Sequence, residues 1–182
     1  TITPFWYTKR GLQLNTENRY LFEHHAGQLD LSWLDDDLDK DERWYRRWLH
    51  QADLGAGVQA SLLIQKASDD LFLQDFDHLD GIEDVDYLRS LLQLSTNLGG
   101  WDTRLLFEQH QTVDQTTAVT SRPYKRLPRL TLEKQFRDAS GNTWLSWNNE
   151  YVAFDREDSV TGNRLHIAPT LQYPMEIGRA HV

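Results

Sequence analysis

The chain has 182 residues, with 28 acidic against 19 basic side chains, a net charge of −9 and no cysteine. This acidic balance disfavours a nucleic-acid-binding protein, which usually carries a basic excess, and disulfides and thiolate chemistry are excluded within this segment. No stretch approaches the roughly 20 apolar residues that a membrane helix needs. A mean hydropathy of −0.66 still allows a membrane β-barrel, because barrel strands alternate lipid-facing and lumen-facing residues.

Both ends of the chain suggest a piece of a longer protein. It starts at Thr1 and not at Met, so we expect its beginning to be missing. Residues 176–182 back-translate into a string that contains the start of a common sequencing adapter. We therefore predict that residues 176–182 are read-through, and we assign residues 1–175 to the folded segment. A genomic clone that continues in frame with the same residues would contradict this.

Along the chain, hydrophobicity alternates with a period of two, as in Val58, Ala60, Leu62 and Ile64. Most of the resulting segments are longer than ordinary strands, which average about five or six residues, and match tilted membrane strands of about nine to eleven. The pattern predicts ten antiparallel strands, at 1–8, 11–22, 27–34, 44–54, 57–67, 88–98, 101–113, 128–137, 143–154 and 163–174.

The predicted connections alternate in size. Residues 54–57, 98–100 and 139–142 are tight, Gly-bearing turns, whereas 35–43, 68–87 and 114–127 are polar loops and 155–162 is a shorter one. Short turns on one side and long loops on the other are typical of outer-membrane barrels, with the short turns in the periplasm. Many of the 21 aromatic residues fall near predicted strand ends, as the aromatic girdles of such barrels do. These are Trp44, Tyr45, Trp48, Trp101, Trp144, Trp147, Tyr151, Phe154 and Tyr173.

Charged residues separate onto one face when each strand is phased by its apolar residues. Counted in the strand interiors, the apolar face receives only Lys66 and Lys134, which lie towards the ends of their strands. A Lys or Arg facing lipid at mid-membrane costs about 2–4 kcal/mol, so we predict that the other face lines a wet lumen. The lumen-facing candidates are Glu17, Arg19, Asp30, Arg47, Asp53, Arg89, Asp102, Arg104, Glu108, Arg129, Glu133, Glu150 and Arg164. The fold class is therefore all-β, an antiparallel segment of a large transmembrane outer-membrane β-barrel.

Motifs for catalysis are scarce. The serines lie outside any nucleophile-elbow sequence, no HExxH is present, and His24 and His25 sit in a turn where neighbouring side chains diverge. We predict that the chain is not an enzyme and has no catalytic residues and no cofactor. A barrel lipase, built from a strand serine and a histidine on the neighbouring strand, is the alternative.

Two sets of charges invite a ligand hypothesis. Acidic residues cluster at 35–42, and Asp75, Asp77 and Asp80-Gly81 approximate a calcium loop, although the third ligand comes one place late for an EF-hand. We favour solvated loops and no metal site, with loose Ca²⁺ or Mg²⁺ binding as the alternative. Arg46-Arg47, Lys125-Arg126 and Arg129 are either rim charges or phosphate contacts.

Several short motifs, in this order and spacing over residues 1–175, resemble the LPS-assembly outer-membrane protein family, also called the organic solvent tolerance family. They are Thr1-Ile2-Thr3-Pro4, Lys9-Arg10-Gly11, Glu17-Asn18-Arg19-Tyr20-Leu21, Gly27-Gln28-Leu29-Asp30-Leu31, Arg46-Arg47-Trp48-Leu49, Ala67-Ser68-Asp69-Asp70, Asp75-Phe76-Asp77, Arg122-Pro123-Tyr124, Leu127-Pro128 and His166-Ile167-Ala168-Pro169-Thr170.

The resemblance implies a location and a function. Members of this family form a very large barrel in the bacterial outer membrane, contact outer-membrane lipids and hold a plug lipoprotein. They receive lipopolysaccharide from a periplasmic bridge and release it through a lateral gate between the first and last strands. Prolines lie near that seam, and Pro4 matches one of them. Since proline cannot donate to a ladder, a weak seam is expected there, with an ordinary edge-strand proline as the alternative.

The chain also departs from a whole family member. The periplasmic jellyroll domain, the closing strands and the cysteines of the family do not fall in it. Two other classes remain open. One is another outer-membrane barrel, porin or enzyme. The other is a soluble sugar-binding β-sandwich, which would fold in buffer without detergent, whereas a barrel segment would aggregate through its apolar face and open edges. Neither class implies a nucleic-acid partner.

Overall fold

A computed structural model describes residues 1–38, 41–76, 86–114, 116–138, 143–156 and 160–174. All ten predicted strands are present, and none of the helices in these ranges is long and apolar enough to cross a bilayer. The elements are β1 (Ile2–Tyr7), β2 (Gly11–Leu21), β3 (His25–Asp36), β4 (Asp41–Asp53), β5 (Gln59–Ala67), α1 (Phe72–Asp75), β6 (Tyr87–Leu98), β7 (Trp101–Thr112), a 3₁₀ turn (Val119–Ser121), β8 (Lys125–Arg137), β9 (Trp144–Asp155) and β10 (Gly162–Gln172).

The strands form one antiparallel sheet in chain order, from β1 to β10. A β-sandwich needs two packed sheets, so the sandwich alternative is wrong for the described residues. Because every connection reverses the chain, connections alternate between two ends of the sheet. We call the end with the connections 22–24, 54–58, 99–100 and 138–143 the turn end, and the opposite end, with 8–10, 37–40, 68–86, 113–124 and 156–161, the loop end.

Strands β3 and β4 are longer than the sequence predicted. They pair as far as Asp35 opposite Glu42 and Asp36 opposite Asp41, so the predicted loop at 35–43 is wrong and only residues 37–40 connect the strands. The acidic run enters the sheet because the carboxylate of Asp36 is paired with arginine there. Cross-strand charge compensation can stabilise a strand that composition alone disfavours.

Strand β8 contains a bulge near Pro128. Arg126 lies opposite Glu108 of β7, whereas Arg129 lies opposite Leu106, so β8 carries one extra residue in between. A bulge leaves a residue outside the ladder, which suits a proline without an N–H. The bulge also shifts the alternation, so Arg126 and Arg129 share a face although their numbers differ in parity.

Register assigns every strand residue to one of two faces, since directly opposed residues of antiparallel strands point the same way. The face that contains Glu17, Asp30 and Arg47, which are aligned across β2, β3 and β4, is called the polar face below. The opposite, apolar face carries large exposed side chains on nearly every strand. They include Ile2, Trp6, Leu31, Trp33, Trp48, Leu92, Phe107, Phe136, Tyr151, Leu165, Ile167 and Leu171.

A small core lies on the polar face at the loop end. Residues 68–76, called the cover segment below, fold back over the sheet and bury Phe72 and Phe76 against Leu34 and Tyr45. The prediction of a solvated loop is therefore wrong for this part of 68–87. Tyr45, predicted at a rim, is instead only 2% exposed in this core.

An aromatic cluster marks the apolar face at the turn end. The hydroxyl of Tyr20 on β2 lies 2.6 Å from Nδ1 of His50 on β4 and accepts a hydrogen bond from Nε1 of Trp48 at 2.9 Å. Gly27 of β3 stands between Tyr20 and His50 in the register. A Cβ on Gly27 would overlap the phenol ring, so glycine lets Tyr20 lie across β3 and join three strands.

Candidate functional site: the charged face

All thirteen predicted charges lie on the polar face, as the register of their strands requires. Lys66 and Lys134 lie on the apolar face, as predicted from the same phasing. At the turn end, the ammonium of Lys134 donates to the carbonyl of Gly99 at 2.7 Å and lies near Trp101 and Phe136. That the polar face lines a lumen stays a prediction.

One cluster of ion pairs joins β8, β9 and β10. Glu150 of β9 accepts from Nη2 of Arg129 at 2.6 Å and from Nη2 of Arg164 at 2.5 Å. Each arginine belongs to a different neighbouring strand, so one carboxylate is shared by two cations across the ladder. Charge-assisted hydrogen bonds of this kind set side-chain orientation as well as energy.

A second cluster joins β6, β7 and β8. Glu108 is only 4% exposed, and its carboxylate lies 2.5 Å from Nε of Arg89 and 3.3 Å from Nη1 of Arg126. A buried carboxylate needs such partners to remain charged. Sequence reasoning missed Arg126 because it placed residue 126 in the predicted loop at 114–127, whereas β8 begins at Lys125 and its bulge brings Arg126 into register with Glu108.

The remaining predicted residues make their contacts outside these two clusters. Arg47 lies 3.3 Å from Asp30, Arg19 lies 2.8 Å from Glu17, and Arg104 lies 3.9 Å from Glu133. Two acids make hydrogen bonds at the turn end instead. The carboxylate of Asp102 accepts a hydrogen bond from the side chain of Asn97 at 2.8 Å, and that of Asp53 accepts one from the N–H of Gly55 at 2.9 Å. The polar face is thus a surface of matched charges, which suits hydrated polar groups.

A third cluster, at the loop end, escaped sequence reasoning entirely. Asp36 is fully buried and Arg43 is 4% exposed. The guanidinium of Arg43 lies 3.5 Å from Asp36, 2.7 Å from Asp69 and 2.6 Å from Asp75. Arg10 joins it, at 2.5 Å from Asp36 and 3.2 Å from Asp75. These five residues, called the tether below, link the β1–β2 turn, β3, β4 and the cover segment.

The tether affects the titration of Asp69. Burial by itself would raise the pKa of this carboxyl, but hydrogen bonds from Arg43 and Ser68 outweigh burial and hold its pKa below the ordinary value. The sequence contained one signal of the tether. Asp36 and Arg43 both fall on the polar face when the alternation of β3 and β4 is extended to them. The prediction of a loop at 35–43 hid that signal.

The acidic residues are not arranged as a cation site within the described ranges, where no group of three or more His, Asp or Glu side chains could hold a metal. Asp36 and Asp75 instead face arginines in the tether. Asp39, Asp77 and Asp80-Gly81 lie outside the described residues, so the calcium hypothesis for them stays untested.

Pro4 lies on β1, the first strand of the sheet, opposite Leu14. Thr1 exchanges both backbone hydrogen bonds with Glu17, at 2.7 Å and 3.0 Å. Hydrogen-bonded and non-hydrogen-bonded pairs alternate along an antiparallel ladder, so Pro4 and Leu14 form a non-hydrogen-bonded pair. The ring nitrogen of Pro4 therefore faces the outer edge of β1, where it cannot donate to a further strand.

An antiparallel meander in chain order, with one ion-paired face and one exposed apolar face, places the described residues in the class of all-β proteins built on a single sheet. Within this class the chain belongs to the LptD family, because the family model described as LPS transport system D matches residues 41–179.

Similar proteins carry the same family name. The chain is 31% identical to the LPS-assembly protein LptD of Azoarcus sp. (strain BH72), over 97% of this chain and 22% of the relative. It is 28% identical to the LptD protein of Ectopseudomonas mendocina, over 96% and 22%, and 31% identical to that of Thiobacillus denitrificans, over 96% and 24%. The chain thus spans less than a quarter of the length of these relatives.

Proposed function

We propose that the chain is part of the wall of an outer-membrane β-barrel that assembles lipopolysaccharide into the outer leaflet, and that it acts as a conduit and not as an enzyme. The polar face lines the lumen, where hydrated sugars pass, and the apolar face contacts outer-membrane lipids. Lipopolysaccharide arrives from a periplasmic bridge, and a plug lipoprotein occupies the lumen of the whole barrel.

The separation of the two faces is the observation that carries this proposal. Thirteen charged side chains share one face, while the opposite face exposes apolar side chains across the sheet. Monomeric soluble proteins rarely expose apolar patches above a few hundred Å². An apolar face of this kind is stable in contact with lipid. Membership in the LptD family indicates lipopolysaccharide as the transported molecule.

A lateral gate beside β1 is the finer part of the proposal. The ring nitrogen of Pro4 faces the outer edge of β1, so the strand that closes the barrel finds one donor missing. A seam with fewer hydrogen bonds opens at lower cost than the other strand pairs. The gate then lets acyl chains enter the leaflet while the sugars stay in the lumen.

Neighbouring residues on β7 test the orientation of the faces, since this segment has no native cysteine. In the full-length parent protein in bacterial membranes, Arg104→Cys should react with a water-soluble maleimide, and Leu105→Cys should be protected. The unsubstituted parent protein provides the background labelling. Equal labelling of both positions would contradict a wall with one wet face and one lipid face.

Function is tested in cells depleted of their own assembly protein. The full-length parent gene should restore lipopolysaccharide on the cell surface, and its product should migrate differently on a gel before and after heating. Pro4→Ala, which restores a donor at the seam, should slow delivery, whereas Pro169→Ala on β10 serves as a control in a strand away from this seam. Failure of the parent gene to restore surface lipopolysaccharide would overturn the proposal.

A further inference from the structure

A cleft opens in the sheet at the loop end, between β5 and β6. Backbone pairing of these strands runs only from Gln59 opposite Ser95 to Leu63 opposite Leu91, although β5 continues to Ala67 and β6 begins at Tyr87. The separated strand ends, β7 and the 113–124 connection enclose a cavity of about 390 Å³. The cavity is within the size range of ligand sites.

Side chains hold this gap open in a defined way. The hydroxyl of Ser90 on β6 accepts from the N–H of Gln65 at 3.2 Å and donates to its carbonyl at 3.1 Å. The carboxamide of Gln111, from β7, donates to the carbonyl of Ala67 at 3.0 Å and accepts from its N–H at 3.1 Å. The edge of β5 is therefore satisfied without a neighbouring backbone, so the cleft is a built part of the wall.

Among the described residues that line the cavity, cations outnumber carboxylates. Lys66, Arg122, Lys125 and Arg156 all line the cavity, and among the described lining residues Asp70 is the one carboxylate. These cations come from three separate parts of the chain, namely β5, the 113–124 connection with the start of β8, and the residue that follows β9. Their convergence follows from the fold and is not visible in the sequence.

Arg156 makes hydrogen bonds to the 113–124 connection, which contains Arg122. Nη1 of Arg156 donates to the carbonyls of Thr120 and Arg122, each at 3.1 Å. Its guanidinium also lies 4.2 Å from the centre of the Tyr124 ring, within range of a cation–π contact. Arg122 is thereby positioned at the cleft by a fixed backbone, which reduces the entropy lost when it binds a ligand.

We infer that this cleft binds phosphate groups carried by lipopolysaccharide, an inference that rests on the proposed function. Guanidinium and ammonium groups make short, strong hydrogen bonds to phosphate oxygens, and the polar lining suits a sugar attached to the phosphate. Residues from both faces of the sheet line the cleft: Lys66 lies on the apolar face and Gln65 lies on the polar face. The cleft thus lies in the wall, at the boundary between the lumen and lipid.

The test uses the full-length parent protein with its plug partner in detergent. Binding of fluorescent lipopolysaccharide is compared with that of the same molecule after enzymatic removal of its phosphates. Lys66→Gln combined with Arg122→Gln should weaken binding of phosphorylated lipopolysaccharide about tenfold and leave the dephosphorylated form unaffected. Lys9→Gln, which removes an exposed cation at the same end outside the cleft, is the matched control and should leave both unchanged.

Competition experiments distinguish the possible ligands of the cleft. Competition by inorganic phosphate at millimolar level would identify the phosphate group alone as the ligand, whereas competition only by a phosphorylated sugar would identify the larger group, and both support the cleft. Equal binding of the two lipopolysaccharide forms by the unsubstituted protein would overturn the inference without using any variant. Failure to bind either form would instead count against the proposed function. The single variant Lys66→Gln, at an exposed side chain, covers the case in which the double variant does not fold.

Discussion

The tether over β3 and β4 and the Glu150 cluster on β8–β10 use the same chemistry in different surroundings. In the tether, Arg43 is almost fully buried and holds the buried Asp36 together with two carboxylates of the cover segment. In the Glu150 cluster, the side chains of Arg129 and Arg164 are 36% and 60% exposed. Both regions lie on the polar face, yet only one is sealed.

The difference teaches that ion pairs on one face of a sheet can have separate roles. A buried network becomes costly when one partner is lost, because the remaining charge has no solvent. An exposed network contributes little to stability, since water screens and replaces its partners. We therefore expect the tether, and not the open clusters, to stabilise the fold.

The largest expected effect comes from breaking the tether. Arg43→Met leaves Asp36 buried without a full set of partners, so the free energy of unfolding should fall by about 3–5 kcal/mol. The measurement is denaturant unfolding of the full-length parent protein in micelles, followed by intrinsic fluorescence.

Arg46→Met is the matched control for this substitution. Arg46 lies on the opposite face of the same strand, with its guanidinium 5.1 Å from the centre of the Trp44 ring, and its loss should change stability by about 0.5 kcal/mol or less. Equal effects of the two substitutions would contradict the distinction between buried and exposed charges.

A smaller effect is expected at Gly27, beneath the ring of Tyr20. Gly27→Ala places a methyl group where the ring lies, so overpacking should cost about 1–3 kcal/mol. Gly162→Ala, where an added Cβ meets no atom within 4 Å, is the control. A double-mutant cycle with Tyr20→Ala should show coupling between the two sites, and strictly additive losses would argue against the overlap.

Acid should loosen the cover segment through Asp69. A carboxyl with a lowered pKa in the fold contributes stability above its unfolded pKa of about 3.9, and that contribution is lost as pH falls through the lower folded value. Protease cleavage within residues 68–76 should therefore increase as pH falls below about 3.9. In Asp69→Asn, cleavage should be raised already at neutral pH and depend less on pH, and an unchanged profile would contradict the assignment.

The smallest effect is expected at Arg104. Its distance to Glu133 is 3.9 Å and both side chains are about half exposed, so Arg104→Gln should alter the free energy of unfolding by about 0.5 kcal/mol or less. The same micelle assay detects this. A loss as large as that of Arg43→Met would mean that the open clusters also hold the sheet together.

Much of the fold could be predicted because alternation is a local property. Each strand buries or exposes alternate residues whatever its neighbours do, so ten strands and the two faces followed from the residues alone. The bulge near Pro128 could not be predicted in this way. It depends on how β7 and β9 align with β8, and it decides that Arg126 faces Glu108.

The sequence by itself determined the all-β class, the chain-order meander and the face on which each of the thirteen charges lies. Only the tertiary structure decided which charges meet, where the cover segment lies and where β5 separates from β6. The physical reason is the separation along the chain of the residues that determine each feature. A period of two is set by the backbone of a single strand, whereas the tether and the cationic cleft join residues that are up to about ninety positions apart in the chain, and only the aligned strands bring such residues together.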